Sequence, residues 1–214
     1  MPRLTAHDRR THNAERRRQI LRAAARVFAD RGYATATIEN VARAAHVAEG
    51  TIYNYFRSKE DLLIHIPRHI AGPVLEQLAA LPEVDTAEAA ERALIAMGEA
   101  MVERVSGNIR FVKVFLSALP HLSRPAREEY MRLMPMATAG MLEAHLRRGM
   151  ERGVYRRDLD PAVAGRALPA TIFMITLGQR VFLGRRMTPS MSRTFVREAV
   201  RQFLHGALDQ RVPV

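Results

Sequence analysis

Apolar residues recur along almost the whole chain at the spacing of an α-helix, and the strict alternation of a half-buried strand is nearly absent. Between Asn13 and Arg31, the residues Ile20, Leu21, Ala24, Val27 and Phe28 fall at i, i+1, i+4, i+7 and i+8, which is one stripe of a 3.6-residue helix. Arg16, Arg17, Arg18, Arg22 and Arg26 lie largely outside that stripe. Gly32 then supplies a C-terminal stop. A pattern of this kind admits an all-α fold and little else.

The remaining punctuation divides the chain. Thr37 is placed to cap a short helix whose Ile38, Val41, Ala42 and Ala45 face inward. His46-Val47-Ala48 reads as a tight turn, and Glu49 to Phe56 as a second short helix. Ser58 caps the next helix, with Glu60 and Asp61 in a first turn where the dipole favours acids. That helix runs into Leu62, Leu63 and Ile66, and Pro67 and Pro73 predict a bend or break. The segment LPEVDT (81–86) reads as a linker. Helices are predicted beyond it at 87–105, 109–119 and 125–152, the last kinked at Pro135. A loop (154–160) follows Gly153, and two further helices, 161–184 and 189–208, each open on a proline at the first position. The expected organisation is a basic N-terminal arm without fixed structure (1–12), a three-helix domain (13–60) and a larger helical body (61–214).

The chain carries a formal net charge of +11 over 214 residues, which predicts attraction to polyanions. Twelve Lys/Arg against six Asp/Glu fall within the first 60 residues, more than their share by length. The near-complete preference for Arg, with Lys59 and Lys113 the only lysines, has the look of a genome-wide bias. No cysteine is present, which excludes disulfides, thiolate zinc sites and a thiol nucleophile. The polar, basic N-terminus has no signal-peptide core. The most apolar run, Ala167 to Gly178, falls short of the ~20 residues a spanning helix needs. A cytoplasmic protein with no membrane partner is expected. No Gly-x-Ser-x-Gly, phosphate-cradling glycine loop or His-Glu-x-x-His occurs, so no enzymatic activity and no cofactor are expected. His65 and His69 have i, i+4 metal spacing, but Pro67 lies between them and no third ligand is evident, so no metal is expected.

Two short helices joined by a three-residue turn can present one helix to a DNA groove. On Glu49 to Phe56, Ile52 and Phe56 share one side, while Gly50, Thr51, Asn54 and Tyr55 point the other way and Tyr53 lies on the flank. Such hydroxyl and amide groups reach phosphates and base edges, and Gly50 permits close backbone approach. Gly32-Tyr33, Thr37, Val41-Ala42, Val47 and the run Gly50-Thr51-Ile52-Tyr53-Asn54-Tyr55-Phe56-Arg57-Ser58-Lys59-Glu60-Asp61-Leu62 resemble the N-terminal domain of the tetracycline-repressor (TetR) family over about Ala14 to Leu63. The loop Gly153-Val154-Tyr155-Arg156-Arg157-Asp158-Leu159-Asp160-Pro161 resembles the one that precedes that family's dimerisation helices.

The resemblance implies a double-stranded DNA operator as partner. Thr37, Thr51, Tyr55 and Lys59 would then hold phosphates, and Glu49, Gly50, Tyr53 and Asn54 would lie nearest the bases. Two departures stand at the start of the recognition helix: His46 where the family often has glycine, and Ala48 where it often has a capping hydroxyl. Glu49 beside them faces a polyanion, either accepting from a cytosine amine or excluding wrong sequences. The stretch Arg3 to Arg18 stays open between a solvated tail and a strap along the backbone or minor groove.

For the body, the resemblance implies ligand binding and dimerisation. Leu168, Ile172, Ile175, Phe182, Phe195 and Phe203 are expected at a homodimer interface built as a four-helix bundle, with burial inside one subunit as the alternative. Met97, Met101, Phe111, Phe115, Met134 and Phe173 are expected to line a cavity for a small apolar or amphipathic effector. Arg110, His121, Thr171, Thr176 and Gln179 are possible polar contacts there. Ligand binding would tilt the helix after Ser58 and release a repressor from its operator. The competing reading is a sequence-neutral, ligand-free architectural DNA-binding protein.

Overall fold

The computed structural model describes residues 6–81 and 83–207, and among them no β-strand forms. Helix α1 spans Ala6–Arg31, so residues 6–12 of the expected arm are the opening turns of a helix. No glycine or proline interrupts that stretch, and arginine and alanine are good helix formers. Arg3 and its neighbours lie outside the described residues. Gly32 ends α1 at φ +77°, the left-handed position that glycine takes at no steric cost.

Helices α2 (Ile38–Ala44) and α3 (Glu49–Tyr53) follow; α3 stops at Tyr53 instead of running to Phe56. Helix α4 (Lys59–Ala79) continues through Pro67 and Pro73, so of the expected bend or break the break does not occur. Each proline removes one intrahelical hydrogen bond, but Leu62, Leu63 and Ile66 before them and Val74, Leu75 and Leu78 after them are buried. Packing on both sides outweighs the local cost.

Residues 83–85 of the expected linker are not helical, and α5 (Ala87–Gly107) begins at Thr86, whose side chain accepts from the Ala89 amide at 3.1 Å. Helix α6 (Ile109–Ala118) ends in a short 3₁₀ turn, Leu119–His121. The kink predicted at Pro135 resolves into a π-helical turn, Arg132–Met136, between α7 (Arg124–Met131) and α8 (Ala137–Glu151). Helix α9 (Pro161–Leu177) continues into a second π-helical turn, Gly178–Phe182, and α10 (Pro189–Ala207) closes the described chain. Asp160 caps α9, accepting from the amides of Ala162 (2.9 Å) and Val163 (3.2 Å), with Pro161 at the first position.

The described residues form two compact units. The first holds those through Ile70 together with Arg110–Met131; the second holds Ala71–Ile109 and those from Arg132 onward. In the first, Ile20, Phe28, Val41, Ile52, Phe56, Leu63, Phe111 and Phe115 share one buried cluster. Its chain-distant segment is fastened by a side chain: the Glu60 carboxylate accepts from the Ser123 amide (2.9 Å) and hydroxyl (2.7 Å) at the start of α7.

The second core holds Leu94, Met97, Leu142, Leu146, Tyr155, Ile172 and Val196. Two glycines set its helix spacing. A β-carbon at Gly165 would stand 2.9 Å from the Ala139 carbonyl oxygen and 3.0 Å from the Glu143 amide nitrogen, so α8 and α9 touch backbone to backbone. One at Gly98 would meet Val196 and Ile172 at 2.6 and 2.9 Å, which brings α5, α9 and α10 together. The stretch Pro161–Phe182 is long and apolar enough to cross a membrane by length and composition. In this fold it instead buries Leu168 and Ile172 in the core of the second unit, and Leu177 is buried as well.

Candidate nucleic-acid interface

The interface is built from the α1–α4 end of the first unit. Thr37 has extended backbone (φ −114°, ψ 162°) and accepts from the Asn40 amide at 3.1 Å, while the Asn40 side chain accepts from the Thr37 amide at 3.3 Å. This reciprocal pair is a capping box with Asn in the place usual for Glu or Gln, which is why a Glu/Gln motif search passes over it. His46 adopts φ +52°, the only positive φ at a non-glycine among the described residues. The turn it makes is stabilised by Val47 donating to the Ala42 carbonyl at 3.0 Å. Ala48 occupies the N-cap of α3 with no side-chain hydrogen bond, so the missing hydroxyl noted in the sequence is a missing bond in the fold.

Helix α3 divides its surfaces sharply. Ile52 and, just past the helix, Phe56 are buried at 0% and 1% exposure. Glu49, Gly50, Tyr53 and Asn54 are exposed, and Thr51 and Tyr55 are half-buried. Tyr53 holds 53% of its surface in solvent, far more than the fold requires of an aromatic ring. A methyl group at Gly50 would meet no protein atom within 4 Å. The protein's own packing therefore makes no demand for glycine there, and the open space lies on the outer side.

Two of the predicted phosphate contacts are already engaged. The Tyr55 hydroxyl donates to the Asn13 side chain on α1 at 3.2 Å. Lys59 donates to the Ala34 carbonyl at 3.2 Å and sits 4.4 Å from the centre of the Tyr33 ring. Burial lowers its pKa from the ordinary lysine value. An ammonium has three donors, so Lys59 is oriented by these contacts with donors to spare.

Sequence reasoning passed over the residues that brace this surface. The Gln19 side-chain amide donates to the Ala45 carbonyl at 2.7 Å, pinning the end of α2 to α1. The Arg17 guanidinium lies 4.9 Å from the centre of the Phe56 ring, and desolvation lowers its pKa while the nearby Asp61 carboxylate works to raise it. Asp61 also accepts from the Arg57 amide at 2.8 Å, and its own amide donates to Ser58 Oγ at 3.1 Å. Only Ser58 as a cap and Asp61 as a first-turn acid carried a readable signal.

The body residues sort differently from expectation. Phe111 and Phe115 belong to the core of the first unit, whereas Met97, Met101 and Met134 belong with the second. The six expected cavity residues therefore do not line one chamber within either unit. Phe111 and Phe115 instead form an aromatic cluster with Tyr130, the latter pair 4.7 Å apart. Phe173 is half-buried on α9. Of the polar residues, Arg110 pairs with Asp30 at 2.8 Å on the surface, His121 is exposed, Gln179 is half-buried, and the exposed Thr171 bonds the Ala167 carbonyl.

Of the expected interface residues, Leu168 and Ile172 are buried in their own subunit, at 2% and 0% exposure. Ile172 in particular packs over Gly98 and has no surface left to offer. Ile175 and Phe182 are exposed at 40% and 70%, and Phe195 and Phe203 are half-buried. An open groove of about 450 Å³ runs between α9 and α10, lined by Leu168, Thr171, Ile175, Phe195, Ala199 and Phe203.

The second unit also contains a buried polar pair that no motif marks. His145 (1% exposed) and Tyr155 (0%) bring Nε2 and the phenol oxygen within 3.3 Å. Burial, with Arg148 adding repulsion, holds the His145 pKa down to about 4 from 6.5, and burial pushes the Tyr155 phenol up.

Known proteins share this architecture. Residues 20–66 match the family model described as bacterial regulatory proteins, tetR family. The fatty acid metabolism regulator protein of Bacillus subtilis is 42% identical over 60 residues, which is 28% of this chain and 31% of that protein. The alignments to such curated relatives span about a third of their length. The HTH-type transcriptional repressor KstR2 of Mycolicibacterium smegmatis is 26% identical over 155 residues, covering 72% of this chain and 75% of that one. Among solved structures, the transcriptional regulator FadR from Bacillus subtilis in complex with stearoyl-CoA has a TM-score of 0.71 at 23% identity. That alignment covers 88% of this chain and 97% of the other, a likeness of fold. The matched residues run from Ile20 to Ile66, through the capped α2, the left-handed turn at His46 and the exposed face of α3. Residues 20–66 are thus an N-terminal domain of the tetR family of bacterial regulatory proteins, and the helical body after it shares the fold of the solved regulator.

Proposed function

We propose that this chain is a ligand-responsive transcriptional regulator that binds operator DNA as a homodimer in the bacterial cytoplasm and represses until a small apolar or amphipathic molecule releases it. The observation that carries the DNA-binding half is the surface of α3: Gly50, Tyr53 and Asn54 exposed over a fully buried Ile52. In this reading Tyr53, Asn54, Glu49 and the Gly50 backbone approach base edges. Thr37, Thr51, Tyr55 and Lys59 fix the register on phosphates.

A domain this small reads few base pairs, so two copies are needed for useful specificity. The surface suited to pairing them is the α9–α10 face with Ile175, Phe182, Phe195 and Phe203; Val163 and Met174 on α9 are exposed as well. An apolar patch of that kind on a soluble chain marks an interaction site, and a two-fold axis across it would bury the same residues from both copies. The effector half is supported by relatives: one is named a repressor, and one was solved with stearoyl-CoA bound. Effector binding in the second unit would shift the population away from the DNA-competent state through α4, whose residues belong partly to each unit.

Selection from a randomised duplex library should recover a two-fold symmetric site. At fixed salt it should be bound on the order of a thousandfold more tightly than a scrambled duplex. Near-equal affinity for all duplexes with a steep salt slope would instead identify a sequence-neutral architectural protein. Replacing Asn54 or Tyr53 by Ala should cost about 1–3 kcal/mol of discrimination at the base pairs each contacts. Unchanged discrimination in both variants would remove α3 from the recognition role.

A further inference from the structure

The inward side of α9 changes character along its length. Leu168, Ile172 and Thr176 stand at successive four-residue steps and are buried. The next step, Arg180, falls in the π-helical turn Gly178–Phe182. An apolar stripe therefore ends in a hydroxyl and then a guanidinium. Thr176 spends its proton on the Ile172 carbonyl at 2.7 Å. Arg180 is half-buried, and Nη2 makes one long contact, 3.4 Å to the Ser106 carbonyl near the end of α5. Its Nε is wholly shielded from solvent, and no group of the protein accepts from it. Shielding a charged donor without an acceptor is among the more costly arrangements a fold can keep. Among the described residues no carboxylate pairs with it.

We infer that Arg180 is the anchor for the anionic headgroup of the effector, a carboxylate or phosphate carried on an apolar tail. This rests on the effector reading above and assigns the chemistry of its polar end. A guanidinium presents a planar fork matched to either anion and forms charge-assisted bonds roughly twice as strong as neutral ones. The same unit holds Met97 in its core with Met101 and Met134 packed against it, and methionine adapts to irregular partners when side chains move. The π-helical turn fits this assignment, since such turns recur at functional sites within helices.

The test uses the full chain with three probes that share one tail: dodecanoate, dodecanoyl-CoA and the uncharged dodecanol. Binding is read by calorimetry and by the shift in Tm. At least one anion should bind wild type roughly tenfold or more tightly than dodecanol, the worth of a charge-assisted bond. Dodecanoate alone would identify a free carboxylate, dodecanoyl-CoA alone the phosphates, and both outcomes support the assignment. Arg180→Gln should bring the anions down to the level of dodecanol, with partial recovery in Arg180→Lys.

Without any probe, Arg180→Gln should melt at or above wild type, because an unpaired shielded cation has been removed. A lower Tm would make Arg180 a structural residue and overturn the assignment. Equal binding of dodecanol and dodecanoate, or no binding of any probe, would also overturn it. The broader effector reading fails separately, if no small molecule of any charge alters operator affinity.

Discussion

Helices α3 and α9 both bury one side and expose the other, yet they expose opposite chemistry. Beyond Ile52, α3 shows solvent a glycine, an amide and a phenol on Gly50, Asn54 and Tyr53. Beyond Leu168 and Ile172, α9 shows solvent Val163, Met174, Ile175 and, in the turn after it, Phe182. A solvated face has no need of either pattern. Groups that donate and accept suit a polar, charged partner whose edges carry a hydrogen-bond code, whereas exposed aliphatic and aromatic side chains gain free energy only by leaving water. The two helices therefore predict two kinds of partner, DNA for one and a second copy of the chain for the other.

The most severe way to break the comparison is to charge the apolar face. Ile175→Asp combined with Phe182→Asp should weaken self-association on the order of a thousandfold, seen as a dimer-to-monomer change in analytical ultracentrifugation. Because both positions are exposed, the helical content and Tm extrapolated to the monomer should stay near wild type. Tyr53→Ala should do the reverse, keeping the dimer and losing operator discrimination. If the doubly charged variant remains dimeric, the α9–α10 face is not the interface.

A smaller effect separates the cores. His145 is neutral in both folded and unfolded chains above pH 6.5, so there its burial carries no protonation cost. Below 6.5 the unfolded chain takes up a proton that the folded site, held at about 4, refuses. Stability of the second unit should therefore fall as pH drops from 6.5 toward 4, by a total of about 3 kcal/mol. Urea titrations across that range should show the slope, and His145→Gln should flatten it. An unchanged slope in the variant would assign the acid sensitivity to other groups.

The smallest effect sharpens the α3 side. Ala48 already has the extended backbone of an N-cap (φ −68°, ψ 149°) but no side-chain bond. Ala48→Ser should supply an acceptor for the amide of Gly50 or Thr51 and raise stability by about 1 kcal/mol. A shift in the urea midpoint at constant m-value is the measurement, and a midpoint unchanged or lowered would show that the cap geometry is not available.

Legibility followed the range of the forces involved. The Thr37 cap, the tight turn at His46, the absent cap at Ala48, the Ser58 cap and the Pro161 start of α9 are all set within four residues, and all were readable. The bend or break expected at Pro67 and Pro73 was a local inference too, and no break occurs because buried side chains on either side hold α4 together. The bracing of the interface was hidden for the same reason: Gln19 reaches Ala45, Tyr55 reaches Asn13, and Glu60 reaches Ser123 across 26, 42 and 63 positions of chain.

By itself, the sequence determined an all-helical chain, the capped helix-turn-helix and the polar outer surface of α3, since propensity, capping and helical phase are local properties. Only the tertiary structure decided which apolar residues are core and which are surface. On α9 apolar residues stand on both sides, so helical phase alone could not choose between Ile172 and Ile175. The choice was made by α5 and α8 approaching closely enough at Gly98 and Gly165 to cover one side completely and leave the other open.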